Sequence, residues 1–154
     1  MRLASSSIVA GRIQQVHACR PKGGTDQTPH LDIQEIPSEG RYLAVVADDP
    51  DAMKPAGKVW VHWNVFNVPA VDRRMEVAAG QSLSGETGTT SGHATGGYEG
   101  PCPPDGEHTY RIAVFALQDR VKIDTRAEWT IEAFETAYGR QIVAKALVTG
   151  KFGP

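Results

Sequence analysis

Sixteen glycines and ten prolines interrupt this chain so often that little room is left for long helices. The pieces between them read mainly as strands. Residues 41–48 (RYLAVVAD) form a nearly continuous apolar run bounded by Gly40 and Pro50, the pattern of a central strand covered on both faces. Residues 58–68 (KVWVHWNVFNV) alternate, which puts Val59, Val61, Trp63 and Val65 on one face and Trp60, His62, Asn64 and Phe66 on the other. Residues 108–117 (HTYRIAVFAL) form a third strand in which His108, Tyr110, Ile112 and Val114 share a face. Weaker strand patterns lie at 8–17, 31–36 and 147–152.

One helix stands out. Ile131, Phe134, Tyr138 and Ile142 recur at helical spacing, Thr130 is placed to cap the start, and Glu132 suits the positive first turn. Gly139 weakens its middle, so a break into two pieces is expected. Between Gly80 and Gly106 the chain is dominated by Gly, Ser, Thr and Pro, a long loop of the kind that carries function in compact domains. There are no repeats and no composition shift, so residues 1–154 read as a single domain. A chain of this length buries roughly two-thirds of its unfolded surface and needs neither metal nor disulfides to fold.

The net charge of −2 gives no electrostatic footprint for nucleic acid. Two cysteines, Cys19 and Cys102, are too few for a disulfide scaffold, and in a cytosolic chain they are expected to stay reduced. Gly11 and Arg12 interrupt the apolar stretch near the N-terminus, and no window is long enough to span a bilayer. The expectation is therefore a cytoplasmic protein that is not integral to a membrane.

Polar residues gather at strand ends in three places: Asp48, Asp49 and Asp51 in DDPDAM, His62 in VWVHW, and His108 with Tyr110 in GEHTY. Residues two apart on a strand share a face about 6–7 Å apart, so His108 and Tyr110 point together at one small ligand. An Asp at a strand end fixes a histidine's tautomer or helps hold it protonated. Two imidazoles and a phenol converging on one point describe a site for an anion. Pro101, Pro103 and Pro104 stiffen the neighbouring loop and leave the Cys102 N–H as a further donor. Taken singly, each of these residues also fits a purely structural role, and spacing does not make the strands neighbours.

Together the segments resemble the phosphatidylethanolamine-binding protein family, in its Raf kinase inhibitor-like bacterial and archaeal form. DDPDAMKPAGKVWVHWNVFNVPA is similar to the family's DPDAP-and-HW signature. GGYEGPCPPDGEHTYRIAVFAL is similar to the second signature, in which a Gly-Pro-Pro loop leads into a His-x-Tyr strand. TPHLDIQEIP and FETAYGRQIVAKALVTGKFGP resemble the family's entry segment and C-terminal helix and strand, so the likeness runs from about Gln27 to Pro154.

The resemblance implies a mainly β fold, a β-sandwich of two antiparallel sheets with one or two short C-terminal helices. It also implies a small pocket for phosphate-like anions or phospholipid head groups. Asp49 and Asp51 match the two aspartates of the first motif, His62 its histidine, Pro103 and Pro104 the paired prolines, and His108 and Tyr110 the His-x-Tyr pair. Cys102 falls where the family presents a backbone N–H to the anion. Met53 replaces the final proline of the first motif, and Thr109 stands where many members carry Arg. Arg111 is placed to face away from His108, and His93 is expected to be solvated.

The expected function is a binding protein for a small anion, with no catalytic residue, metal or cofactor. An alternative is an interaction protein that inhibits a kinase or protease with the pocket as its switch; a hydrolase or metalloenzyme using Asp49, His62 and His108 is a third. Bacterial relatives often form homodimers, which extends the expectation to self-association. Protonated histidines favour anions, so affinity is expected to fall as pH rises through about 6–7.

Overall fold

The computed structural model describes all residues from Met1 to Pro154. In chain order the elements are β1 (Arg2–Ala4), β2 (Ile8–Val9), β3 (Arg12–Ile13), β4 (Leu31–Gln34), β5 (Tyr42–Asp49), α1 (Met53–Ala56), β6 (Trp60–Pro69), β7 (Met75–Val77), β8 (Glu86–Thr87), β9 (His108–Leu117), α2 (Ile131–Tyr138) and β10 (Ile142–Phe152). They form a seven-stranded sheet, ordered β2-β3-β10-β9-β5-β6-β8, and a three-stranded sheet, ordered β1-β4-β7. Every pairing is antiparallel except the single parallel contact between Lys151 of β10 and Arg12 of β3.

The unbroken apolar run in β5 is explained by what covers it. One face of the large sheet packs Leu43, Val45, Val114 and Trp63 against Leu31, Ile33 and Val77 of the small sheet. The other packs Ala44, Val46, Phe66 and Phe115 against Ile131 and Phe134 of α2. Phe134 is fully buried and stacks on Phe66 with ring centroids 5.7 Å apart. Truncating such a side chain to Ala costs about 3–5 kcal/mol, so a helix of two turns is held by its apolar face rather than by propensity.

The C-terminal helix is shorter than its periodicity suggests. Thr130 caps it by accepting from the Ala133 N–H at 3.2 Å, and it ends at Tyr138, before Gly139. Ile142, which fits the helical spacing, is instead the first residue of β10, a strand that begins five residues before the weak pattern at 147. The second short helix, α1, lies between β5 and β6 rather than near the C-terminus.

Two features position the functional site. The first is a bulge in β6: Ala47 faces Trp63 while Asp48 faces Val61, so His62 is the extra residue. Simple alternation places His62 opposite Trp63 and Val65. The bulge overturns that assignment and brings His62 to the side of the sheet that also carries Trp63 and Tyr110. The second is a disulfide between Cys19 and Cys102, joining positions 83 residues apart with their Cα atoms 5.5 Å from each other. It corrects the expectation that the two cysteines stay reduced. Such bridges persist in oxidising compartments and in some hyperthermophiles.

Candidate functional site

β5, β6 and β9 are adjacent, and their ends carry Asp49, His62, His108 and Tyr110 to one mouth of the large sheet. The 3₁₀ turn Pro50–Ala52 and α1 close one side, and the loop running through Glu99 and Cys102 closes the other. This loop is tied down at several points. The Glu99 N–H donates to the His62 carbonyl at 3.0 Å, the Cys19 N–H to the Pro101 carbonyl at 3.1 Å, and the Gly100 N–H to Asp26 Oδ1 at 2.8 Å. Gly100 is required here, because a Cβ on it would come within 2.2 Å of the His17 carbonyl oxygen.

The result is a cavity of about 490 Å³, within the usual range for a small-molecule site. Asp49, His62, Cys102, Pro103, Pro104, His108 and Tyr110 all line it. Asp51 does not. Its carboxylate accepts from the Thr109 N–H at 2.8 Å and so braces the start of β9 from beside the pocket.

His108 is buried and held by two carboxylates. Nδ1 lies 2.6 Å from Asp49 Oδ2, and Nε2 lies 2.6 Å from Asp105 Oδ1. Burial alone would lower its pKa, but the hydrogen bonds to Asp49 and Asp105 outweigh that and raise it. Both ring nitrogens facing carboxylates describe an imidazolium that donates twice. Asp49 is itself fixed, because its Oδ1 accepts from the Asp51 N–H at 2.9 Å.

His62 has the opposite character. Its Nδ1 lies 2.7 Å from the Glu99 carbonyl oxygen, an acceptor only, so this nitrogen carries the proton and Nε2 carries a lone pair. Burial lowers its pKa, against the opposing pull of the Glu99, Asp49 and Asp48 carboxylates. The two rings are thus shifted in opposite directions.

Tyr110 lies between them. Its ring meets His62 edge-on at 5.2 Å and stacks near His108 at 6.2 Å. The ring is 5% exposed, yet its hydroxyl has no hydrogen-bond partner. Burial first, then the charges of Asp49 and Asp51, push its ionisation far up, so the group stays an O–H donor. The Cys102 N–H lies against the Tyr110 hydroxyl and favours its ionised form, an effect smaller than that of burial and of the two carboxylates. The Tyr110 O–H is thus a donor without an acceptor, on a residue that lines the pocket.

Arg111 points to the opposite face, as strand alternation requires. It chelates the fully buried Asp48 at 2.7 and 2.9 Å and also pairs with Glu132 of α2. His93 is exposed, with Thr89 Oγ1 3.2 Å from its Nδ1. Sequence reasoning missed Asp26, Trp60, Glu99 and Asp105. Glu99 accepts from the Trp60 indole N–H and from Thr90 Oγ1, which holds it against the pocket wall. The one available signal was Asp105 three residues before His108, a spacing with no meaning on a strand.

The family model described as phosphatidylethanolamine-binding protein matches residues 5–153. A UPF0098 protein of Methanothermobacter thermautotrophicus is 35% identical over 130 residues, covering 81% of this chain and 82% of that relative. The UPF0098 protein YbhB of Escherichia coli is 31% identical over 161 residues and covers 99% of each chain. Among solved structures, the phosphatidylethanolamine-binding protein homologue CT736 of Chlamydia trachomatis superposes with a TM-score of 0.81 at 27% identity, over 99% of this chain and 97% of its own. Escherichia coli YbcL superposes with a TM-score of 0.80 at 25% identity, over 99% of this chain and 98% of its own.

Proposed function

This chain belongs to the phosphatidylethanolamine-binding protein family, and on that premise we propose that its pocket binds a small phosphate-like anion. The observation that carries the reading is the unpartnered Tyr110 hydroxyl, a buried donor on a residue that lines the cavity. An unsatisfied buried hydroxyl costs about 1–3 kcal/mol, a cost that a ligand oxygen accepting from it removes. A second observation supports it. The Asp105 carboxylate already sits on His108 Nε2, so this N–H already donates to an oxyanion supplied by the chain itself. A ligand oxyanion reaching His108 replaces that carboxylate.

Isothermal titration with inorganic phosphate and with phosphoethanolamine tests the proposal. Saturable binding that a His108→Gln variant weakens at least about tenfold is expected, a loss of about 1.4 kcal/mol. No heat from the folded wild-type protein at millimolar ligand overturns it.

A further inference from the structure

The pocket holds no lysine or arginine, although three carboxylates, Asp26, Asp49 and Glu99, stand in its wall. Its only charged donor, His108, has both nitrogens engaged. What it offers a ligand freely is one neutral donor, the Tyr110 O–H, and one acceptor. That acceptor is His62 Nε2. The Glu99 carbonyl fixes the tautomer, the side chain lines the cavity, and no protein group donates to Nε2. The bulge in β6 is what turns this atom inward.

A bare oxyanion is all acceptors. Placed here it satisfies Tyr110 but sets oxygen lone pairs against the lone pair of His62, a repulsive contact in a desolvated site. An oxyanion that carries its own O–H donates to His62 while it accepts from Tyr110. We infer that His62 Nε2 makes this pocket selective for oxyanions that carry a proton, such as hydrogen phosphate, and makes it reject sulfate and phosphodiesters. The inference rests on the anion-binding reading above and names its ligand class more narrowly. Lipid head groups attached through a diester fall on the rejected side.

The device holds while His62 is neutral. The groups facing it are the carboxylates of Glu99 from the loop and of Asp49 from β5, with the Tyr110 ring from β9, while Asp48 acts from the opposite face of the sheet. The carboxylates favour the charged ring and burial opposes it, with burial the larger effect. A site that hydrogen-bonds a substrate O–H discriminates steeply against analogues lacking it, because its own polar group is then left unpaired.

The experiment is isothermal titration at pH 7 with inorganic phosphate, sulfate and dimethyl phosphate. The last two carry no proton, and dimethyl phosphate matches the charge of dihydrogen phosphate, so charge alone does not explain a difference. Phosphate is expected to bind at least about tenfold tighter than either. In a His62→Gln variant, whose amide can turn an N–H to the ligand, sulfate is expected to come within about threefold of phosphate. Equal binding of phosphate and sulfate, or of phosphate and dimethyl phosphate, by the wild type overturns the inference and leaves anion binding intact. Absence of binding by all three overturns both. The wild-type comparison decides the matter even if the variant fails to fold.

Discussion

The Nδ1 of His108 lies 2.6 Å from Oδ2 of Asp49, and neither side chain exposes more than 5% of its surface. A buried charged pair of this kind contributes little net stability, yet removing one partner strands the other. Asp49→Asn keeps the oxygen that accepts from the Asp51 N–H but removes the charge facing His108. The expected cost is about 3–5 kcal/mol in urea unfolding. A loss below about 1 kcal/mol would show that His108 is not held charged in the fold.

The two pocket histidines respond to pH in opposite senses. His108 has a raised pKa, so its contribution to stability is complete below the ordinary histidine value and is lost as pH rises through the raised one. His62 has a lowered pKa, so the stability linked to its neutral form is present above the ordinary value and is lost as pH falls toward the lowered one. Ring-proton NMR is expected to show one titration on each side of the ordinary value of about 6.5. Two superimposed curves near that value would contradict the assigned hydrogen bonds.

Asp105 competes for the nitrogen that a bound oxyanion needs. Its side chain is about one-third exposed, and it sits beside Gly106, whose φ of 123° lets the loop turn there. Replacing it with Asn removes the competing charge, and phosphate affinity near pH 6 is expected to rise about fivefold, or roughly 1 kcal/mol. Weaker binding by Asp105→Asn would instead mark Asp105 as part of the ligand site.

The Cys19–Cys102 bridge closes a loop 83 residues long and pins the pocket rim. Reducing it, or replacing both residues with Ser, is expected to cost about 2–5 kcal/mol of stability. Phosphate binding should weaken as well, because the pocket rim at Cys102 loses its anchor. Alkylation of both thiols in the protein kept from reductant, read by mass spectrometry, would show that the bridge is not there to lose.

Much of this arrangement is legible in the sequence, and its gaps have physical reasons. The three central strands show themselves because apolar runs such as LAVVA need cover on two faces, and Thr130 marks the start of α2 through its cap. Asp49, His62, His108 and Tyr110 stand out by residue type and by motif. The bulge at His62 does not, because register belongs to the pairing of two strands rather than to one. Asp105 and Glu99 are silent for a similar reason: only the folded loop brings one to His108 and ties the other to Trp60. The disulfide joins distant segments that neither spacing nor composition connects. Strands of three residues, β1 and β7, are too short to leave any periodicity.

Tyr110→Phe separates binding from folding most cleanly. Removing an unpartnered buried hydroxyl relieves a desolvation penalty, so the free variant should unfold at the same temperature as the wild type or higher. Thermal unfolding of both proteins, with and without about 10 mM inorganic phosphate, reads the two effects together. Phosphate should raise the wild-type midpoint by several degrees and leave the variant nearly unmoved. An equal phosphate shift in both proteins, or none in the wild type, would contradict a pocket built around the Tyr110 hydroxyl to hold an anion.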